Sequence, residues 1–296
     1  MMSDQAHLLR QMVNSMEGEK ETCDRQMHII TVASGKGGVG KSNFSVNLAL
    51  SLKALGKNPI ILDADFGLAN VEIILGEVPK YNLSHLIKGQ CEIESLITPS
   101  KYGVSFISGG SGVKEMNFLS SEKINHISHQ LSRLNEYTDV LIIDTGAGIN
   151  DIVVKFCDLA DQVYVVVTPE PTSITDGYAL MKTLLMGFGL KAKVKLVINK
   201  AESQKEAHDV YNKLNYVCHN FLNTEVDYAG FVPYDEQIFK SVKAQVPIYA
   251  FAPHAKASTA YYQMARLYLG SIGEHGNREN DVKESWINKF KRIFGQ

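Results

Sequence analysis

The chain has 296 residues, 45% of them hydrophobic, enough for one large α/β domain or two small ones around a substantial core. Its 30 basic and 32 acidic residues leave a net charge of −2, which argues against a protein built mainly to coat nucleic acid, so no specific DNA partner is expected. Cys23, Cys91, Cys157 and Cys218 lie far apart without CxxC or zinc spacing, and neither a spanning apolar run nor a basic-then-apolar leader is present, so the expectation is a cytosolic protein in a reducing compartment with no structural metal.

Residues 1–13 form a short amphipathic segment. Leu8 and Leu9, with Met12, supply apolar anchors, while Asp4, Gln5 and Arg10 flank them around the small Ala6. A helix this short is marginal alone in water, so its order would come from a partner whose site Gln5 and Arg10 enter or clamp; a frayed terminus is the alternative. Residues 14–26 are polar and expected to be loose. From 27 to 269 the chain reads as one α/β domain, with strands expected near 28–33, 59–62, 104–107, 139–143, 163–167, 194–198 and 229–232. Several are apolar without alternation, as in a parallel sheet buried on both faces. The intervening helical runs supply the crossovers of a three-layer α/β/α, doubly wound fold.

The run Gly35-Lys36-Gly37-Gly38-Val39-Gly40-Lys41-Ser42 follows the first strand and opens a helix at Asn43. Strand, glycine loop and helix in that order make a phosphate cradle: glycines let the backbone approach an anion, and the helix N-terminus adds its dipole. Lys41 is placed to reach the β- and γ-phosphates, and the Ser42 hydroxyl to take a position on Mg²⁺. Lys36 is a second lysine that an ordinary phosphate loop does not need. At the surface it serves either its own subunit or the nucleotide of a second subunit docked face to face.

The second strand ends in Asp63-Ala-Asp65-Phe-Gly67. Asp65 is the candidate for positioning the attacking water, and Asp63 for support near Mg²⁺ and the loop; a cap is the alternative. The strand near 139–143 ends in Asp144-Thr-Gly146-Ala-Gly148, where Asp144 suits the Mg²⁺ shell and the Gly146 N–H a γ-phosphate sensor. Farther on, Asn199-Lys200 and Pro233-Tyr-Asp235 leave strand tips where they serve either the adenine base or a turn or cap. The text after Asn199 contains no guanine-reading Asn-Lys-x-Asp run, which favours ATP. His126 and His129 lie three apart in a helical run without acidic or cysteine company and read as solvent-side residues.

Residues 270–282 read as a flexible linker. In 283–296, helical spacing puts Trp286, Ile287, Phe290, Ile293 and Phe294 on one side, with Lys289 and Arg292 beside them. Four basic residues and one acidic give this tail a net charge of +3. That pattern suits a helix lying in the surface of an anionic membrane; a tail packed on its own domain is the alternative, and the two can coexist if nucleotide controls release.

The loop with its front lysine, together with Asp63 to Asn70 and Asp144 to Gly148, resembles the deviant Walker A ATPases of the MinD and ParA type, over about residues 27–269. The resemblance implies a P-loop NTPase fold of the SIMIBI kind, Mg²⁺-dependent ATP hydrolysis and an ATP-bound sandwich dimer. Lys36 would act across the interface, Asp65 on water and Asp144 on the Mg²⁺ shell. The sequence departs from the metal-handling branches in lacking paired cysteines. Asp4 to Arg10 looks like the activator motif of the FlhG/FleN (YlxH) flagellar-number regulators. This implies stimulation of an SRP-like GTPase, FlhF, while the likeness to MinD implies membrane residence coupled to nucleotide; whether a switch-complex protein or a transcription factor is another partner stays open. A septum-site MinD and a DNA-partition ParA are the alternatives.

Overall fold

The computed structural model describes residues 27–65, 70–110, 120–273 and 285–295. Among the described residues eight strands follow in chain order: β1 (His28–Ser34), β2 (Pro59–Ala64), β3 (Thr98–Pro99), β4 (Ser105–Ser108), β5 (Val140–Ala147), β6 (Gln162–Val167), β7 (Lys193–Ala201) and β8 (Asp227–Pro233). The helices are α1 (Lys41–Ala54), α2 (Asn70–Leu75), α3 (Leu83–Ile87), α4 (Ile93–Leu96), α5 (Ser121–Ser132), α6 (Asp151–Leu159), α7 (Pro171–Lys182), α8 (Gln204–Leu222), α9 (Glu236–Lys243), α10 (Ile248–Phe251), α11 (Lys256–Gly273) and α12 (Trp286–Phe294).

The strands form a single sheet in the order β3-β4-β2-β5-β1-β6-β7-β8, parallel throughout except for β3 against β4. All seven strands expected from the sequence are present. The eighth, β3, is a two-residue edge pair too short to leave a pattern, and its Pro99 sits where an edge strand tolerates a missing donor.

The continuous apolar runs follow from burial on both sheet faces. In β1, Ile29 and Ala33 enter one core while Ile30 and Val32 enter the other. In β6, Val163, Val165 and Val167 alternate in the same way with Tyr164 and Val166. One face is covered by α1 and α11, the other by α5, α6 and the tail helix α12, with α7 and α8. Both layers are therefore present, and the sheet is doubly wound as expected.

Strand β1 lies between β5 and β6, where the winding reverses direction. In such sheets the crevice beyond the carboxyl ends of the strands at this reversal holds ligands. The glycine loop leaves β1 at that point.

At the C-terminal side, helix α11 continues through Gly273, so the expected boundary at 269 falls inside its last turn. The expected N-terminal segment, Asp4 to Arg10, lies outside the described residues, as do residues 66–69 between Asp65 and Asn70.

Candidate functional site

The loop between β1 and α1 has the backbone that its glycines permit. Gly38 and Gly40 take φ values of 76° and 96°, a left-handed region costly for side-chain-bearing residues. Gly40 also ends the loop as the residue capping α1. A Cβ at Gly40 would run into the Asn199 amide, whereas one at Gly38 would meet nothing within 4 Å. Gly37 and Gly38 are exposed, and Val39 is buried as the anchor behind them.

Lys41 opens α1 and is buried to 7% exposure. Its Nζ donates to Ser34 Oγ at 2.9 Å, and that hydroxyl donates in turn to the Lys36 carbonyl at 2.7 Å. Burial lowers the Lys41 pKa, with Asp144 and then Asp65 pulling the other way. A half-stripped ammonium beside flexible glycines is a strong electrostatic partner for phosphate oxygens.

The three carboxylates expected from two strand tips converge. Asp63 and Asp144 are direct partners across the parallel β2–β5 pairing. Asp144 is fully buried: Oδ1 accepts from Ser45 Oγ at 2.8 Å, whereas Oδ2 has no hydrogen-bond partner among the described residues. Burial raises its pKa to about 6 against the pull of the Ser42 and Ser45 hydroxyls and Lys41. Asp63 is raised to about 7, first by burial and then by Asp144. Its Oδ1 accepts from the Asp65 N–H at 3.1 Å and its Oδ2 from the Val71 N–H at 3.0 Å. Asp63 therefore accepts from the backbone on both sides of the stretch between Asp65 and Val71. Asp65 accepts from Asn70 Nδ2 at 3.2 Å and lies against Gly146, where an added Cβ would come within 3.3 Å of its Oδ1. The tips of β2 and β5 thus meet at that glycine.

The base-side candidates are engaged with protein groups. Asn199 Nδ2 donates to the Val39 carbonyl at 2.6 Å, and its Oδ1 accepts from the Lys200 N–H. Lys200, at a positive φ of 59°, extends its Nζ to the Gly38 carbonyl at 2.8 Å. The pair anchors the phosphate loop from β7, leaving one Asn199 amide hydrogen for another acceptor. Asp235 caps α9 through the Gln237 N–H at 2.9 Å, and Pro233 ends β8 in register with Ala201. The capping alternative describes Asp235 in this structure.

Lys36 is half-buried and held within its own subunit, donating to Glu170 Oε2 at 2.9 Å and Thr172 Oγ1 at 2.8 Å. Ser34, Ser45, Glu170 and Thr172 were not among the residues expected from sequence. Ser45 carried a readable signal, three positions after Ser42 on the same helix face. Glu170 and Thr172 carried none, because they approach the loop from a different crossover.

The tail helix is packed on the domain rather than displaying its apolar stripe. Trp286, Phe290, Ile293 and Phe294 are buried against α5 and α6, and Ile287 is half-buried. The Trp286 Nε1–H donates to Asn135 Oδ1 at 3.2 Å, the Phe294 ring lies 5.7 Å from that of Phe156, and Arg292 pairs with Asp158 at 3.2 Å. Lys289 is half-buried and Arg292 exposed. The expected one-sided stripe exists, but here it faces the protein.

The model of the ParA family, described as NUBPL iron-transfer P-loop NTPase, matches residues 25–268. The chain belongs to the MinD/ParA family of P-loop ATPases. It is 41% identical over 240 residues to the antiactivator FleN of Pseudomonas aeruginosa, covering 81% of this chain and 85% of that one. It is 32% identical over 297 residues to the flagellum site-determining protein YlxH of Helicobacter pylori, covering 99% of each. The Aquifex aeolicus MinD structure shares the fold with a TM-score of 0.65 at 23% identity, over 87% of this chain and 100% of that one.

Membership makes the chain an ATP-hydrolysing P-loop NTPase with the capability to bind ATP and Mg²⁺. The residues fit both groups. The cradle is open at Gly38, and the orphaned Asp144 oxygen and crowded carboxylates suit a divalent cation. Mg²⁺ supplies charge neutralisation at the transferred phosphoryl group when bound. Ser42 and Asp144 would hold it, while Lys41 and the loop N–H groups would cradle the phosphates.

Proposed function

We propose that this protein is an ATP-driven dimerising switch that binds the inner face of the membrane reversibly and limits or positions flagellar assembly. The observation that carries this reading is the likeness to YlxH over 99% of both chains, which brings the N-terminal segment and the tail inside the alignment. The likeness to FleN supports the same class of regulator.

In this proposal Asp65 orients the attacking water and Asp144 holds the Mg²⁺ shell. Gly146 senses the γ-phosphate beside Asp65, and Lys36 stabilises charge on the partner's nucleotide. Phosphoryl transfer asks for positioning and charge compensation, which one subunit supplies incompletely. The tail alternates between its groove on α5 and α6 and anionic lipid. Helix α6 starts at Asp151, three positions after Gly148, so a nucleotide-driven shift of the Asp144–Gly148 segment is transmitted to the surface on which the tail rests. Two tails joined in a dimer would bind a membrane far more tightly than one through effective concentration.

The N-terminal segment is proposed to stimulate an SRP-like GTPase of the FlhF kind through Leu8, Leu9, Gln5 and Arg10. A further switch-complex or transcription-factor partner is part of the same proposal. Septum-site MinD proteins are also relatives, at 27% and 28% identity in Bacillus subtilis and Helicobacter pylori. The Asp4–Arg10 segment favours the flagellar role. A peptide of residues 1–13 added to the SRP-like GTPase is the deciding experiment: a rise in GTP turnover of tenfold or so is expected, abolished by Leu8→Asp. No stimulation by peptide or full chain would refute the flagellar assignment.

A further inference from the structure

Ser45 and Ser51 on α1 and Ser128 on α5 are all fully buried. A buried serine inside a helix ordinarily closes its hydroxyl on the carbonyl four residues back. Ser51 does so on Asn47 at 2.8 Å and Ser128 on Ile124 at 2.6 Å. Ser45 departs from this pattern. The Lys41 carbonyl lies 3.1 Å from its Oγ, while Asp144 Oδ1 on β5 is nearer, at 2.8 Å. A hydroxyl has one proton to give, and a carboxylate is a stronger acceptor than a carbonyl. The proton therefore goes across to β5, and the bond within the helix is secondary.

The Asp144 side chain needs such a tie. It is fully buried, and its Oδ2 has no hydrogen-bond partner among the described residues. The last torsion of an aspartate is broad and two-fold, so the side chain by itself does not fix the plane of its carboxylate. A bond to Oδ1 fixes that plane and with it the direction of Oδ2. Helix α1 thus offers Lys41 to phosphate and, one turn on, Ser45 to the carboxylate.

We propose that Ser45 is a positioning residue for ATP hydrolysis, whose hydroxyl fixes the Asp144 carboxylate and so keeps Oδ2 available to the Mg²⁺ shell. The inference rests on the reading that Asp144 holds that shell. Ser45 acts through Asp144 alone, so its loss should weaken the metal and spare the grip on nucleotide.

The test is binding of Mn²⁺, standing in for Mg²⁺, to the full chain saturated with ADP, with the free ion read by electron paramagnetic resonance. Ser45→Ala is expected to weaken Mn²⁺ roughly 10- to 100-fold, the usual effect of removing a group that orients a metal ligand. Affinity for fluorescent ADP in chelator should be unchanged. Ser45→Cys fills the space but donates weakly, so it should lose Mn²⁺ affinity in the same direction, and it carries the test if the alanine variant fails to fold. In an Asp144→Asn background, Ser45→Ala should produce no further loss. Normal Mn²⁺ affinity in the Ser45 variants overturns the proposal, as does an equal loss of ADP affinity in chelator, the mark of a role in packing. If Asp144→Asn itself binds Mn²⁺ as wild type does, the reading of Asp144 falls and the proposal with it; if it binds weakly while the Ser45 variants bind normally, only the role of Ser45 falls.

Discussion

Asp63 and Asp144 face each other across two buried strands, and neither carboxylate has a basic group bonded to it in this structure. Their pKa values, about 7 and about 6 against an ordinary 3.8, mean that the folded protein keeps protons that the unfolded chain has already released. Stability from these groups is therefore fully present below about pH 4 and is lost as pH rises through 6 and 7. The expected outcome for nucleotide-free, chelator-treated protein is a melting temperature that declines over this window. Asp63→Asn should flatten that decline, removing a penalty on the order of 2–4 kcal/mol at pH 8. Equal slopes for wild type and variant in thermal scans would contradict the assignment. Asp65 belongs to the same cluster, but its contacts are to Asn70 and the rim of Gly146. Asp65→Ala is expected to keep ATP affinity, lower turnover roughly 10²-fold or more, and leave a persistent dimer; normal turnover would remove Asp65 from the mechanism.

Among the elements, α12 shows most clearly how one pattern serves two surroundings. A stripe of Trp286, Phe290, Ile293 and Phe294 buries equally well in a bilayer surface or in a groove between α5 and α6. Each such side chain is worth roughly 1.5–3 kcal/mol gross on full burial. The docked helix leaves a small apolar cavity of about 30 Å³ beneath Trp286 and Phe290, bounded by Leu62, Leu141 and Ile143 of the sheet. A void of this size withholds roughly 0.7 kcal/mol from the docked state and makes leaving easier. Trp286 is the single tryptophan of the chain, so its emission reports on the tail alone. Its fluorescence is expected to be shielded from acrylamide without nucleotide, accessible with Mg-ATP, and shielded again when anionic vesicles are added. Phe290→Asp should abolish ATP-dependent sedimentation with vesicles while the sheet core stays folded. Unaltered quenching in all three conditions would dissociate the tail from the nucleotide cycle.

For the whole molecule, the reversal of sheet winding at β1 brings the loop, the carboxylate-bearing tips of β2 and β5 and the anchoring Asn199-Lys200 pair to one edge. The mass measured by light scattering should double with Mg-ATP, and Lys41→Ala should remain a single subunit because its triphosphate binding is lost. A Lys41→Ala protein that still doubles in ATP would contradict the role of bound triphosphate in joining two copies. Much of this architecture was legible beforehand: seven strands and the phosphate loop are local features, written in short runs of apolar or glycine residues. Strand β3 was not, because two residues paired at an edge owe their conformation to β4.

What the sequence determined alone was whatever depends on neighbours along the chain. The glycine spacing from Gly35 to Gly40, the carboxylates at strand ends and the one-sided tail each reflect a local geometric requirement. Tertiary structure decided which of several satisfied partners each side chain takes. Asn199 meets the Val39 carbonyl, Asp235 caps a helix, Lys36 meets Glu170, and the tail stripe meets α5 and α6. A donor or an apolar face carries the same energetic demand wherever it is satisfied, and only the packing of distant segments determines which surface answers it.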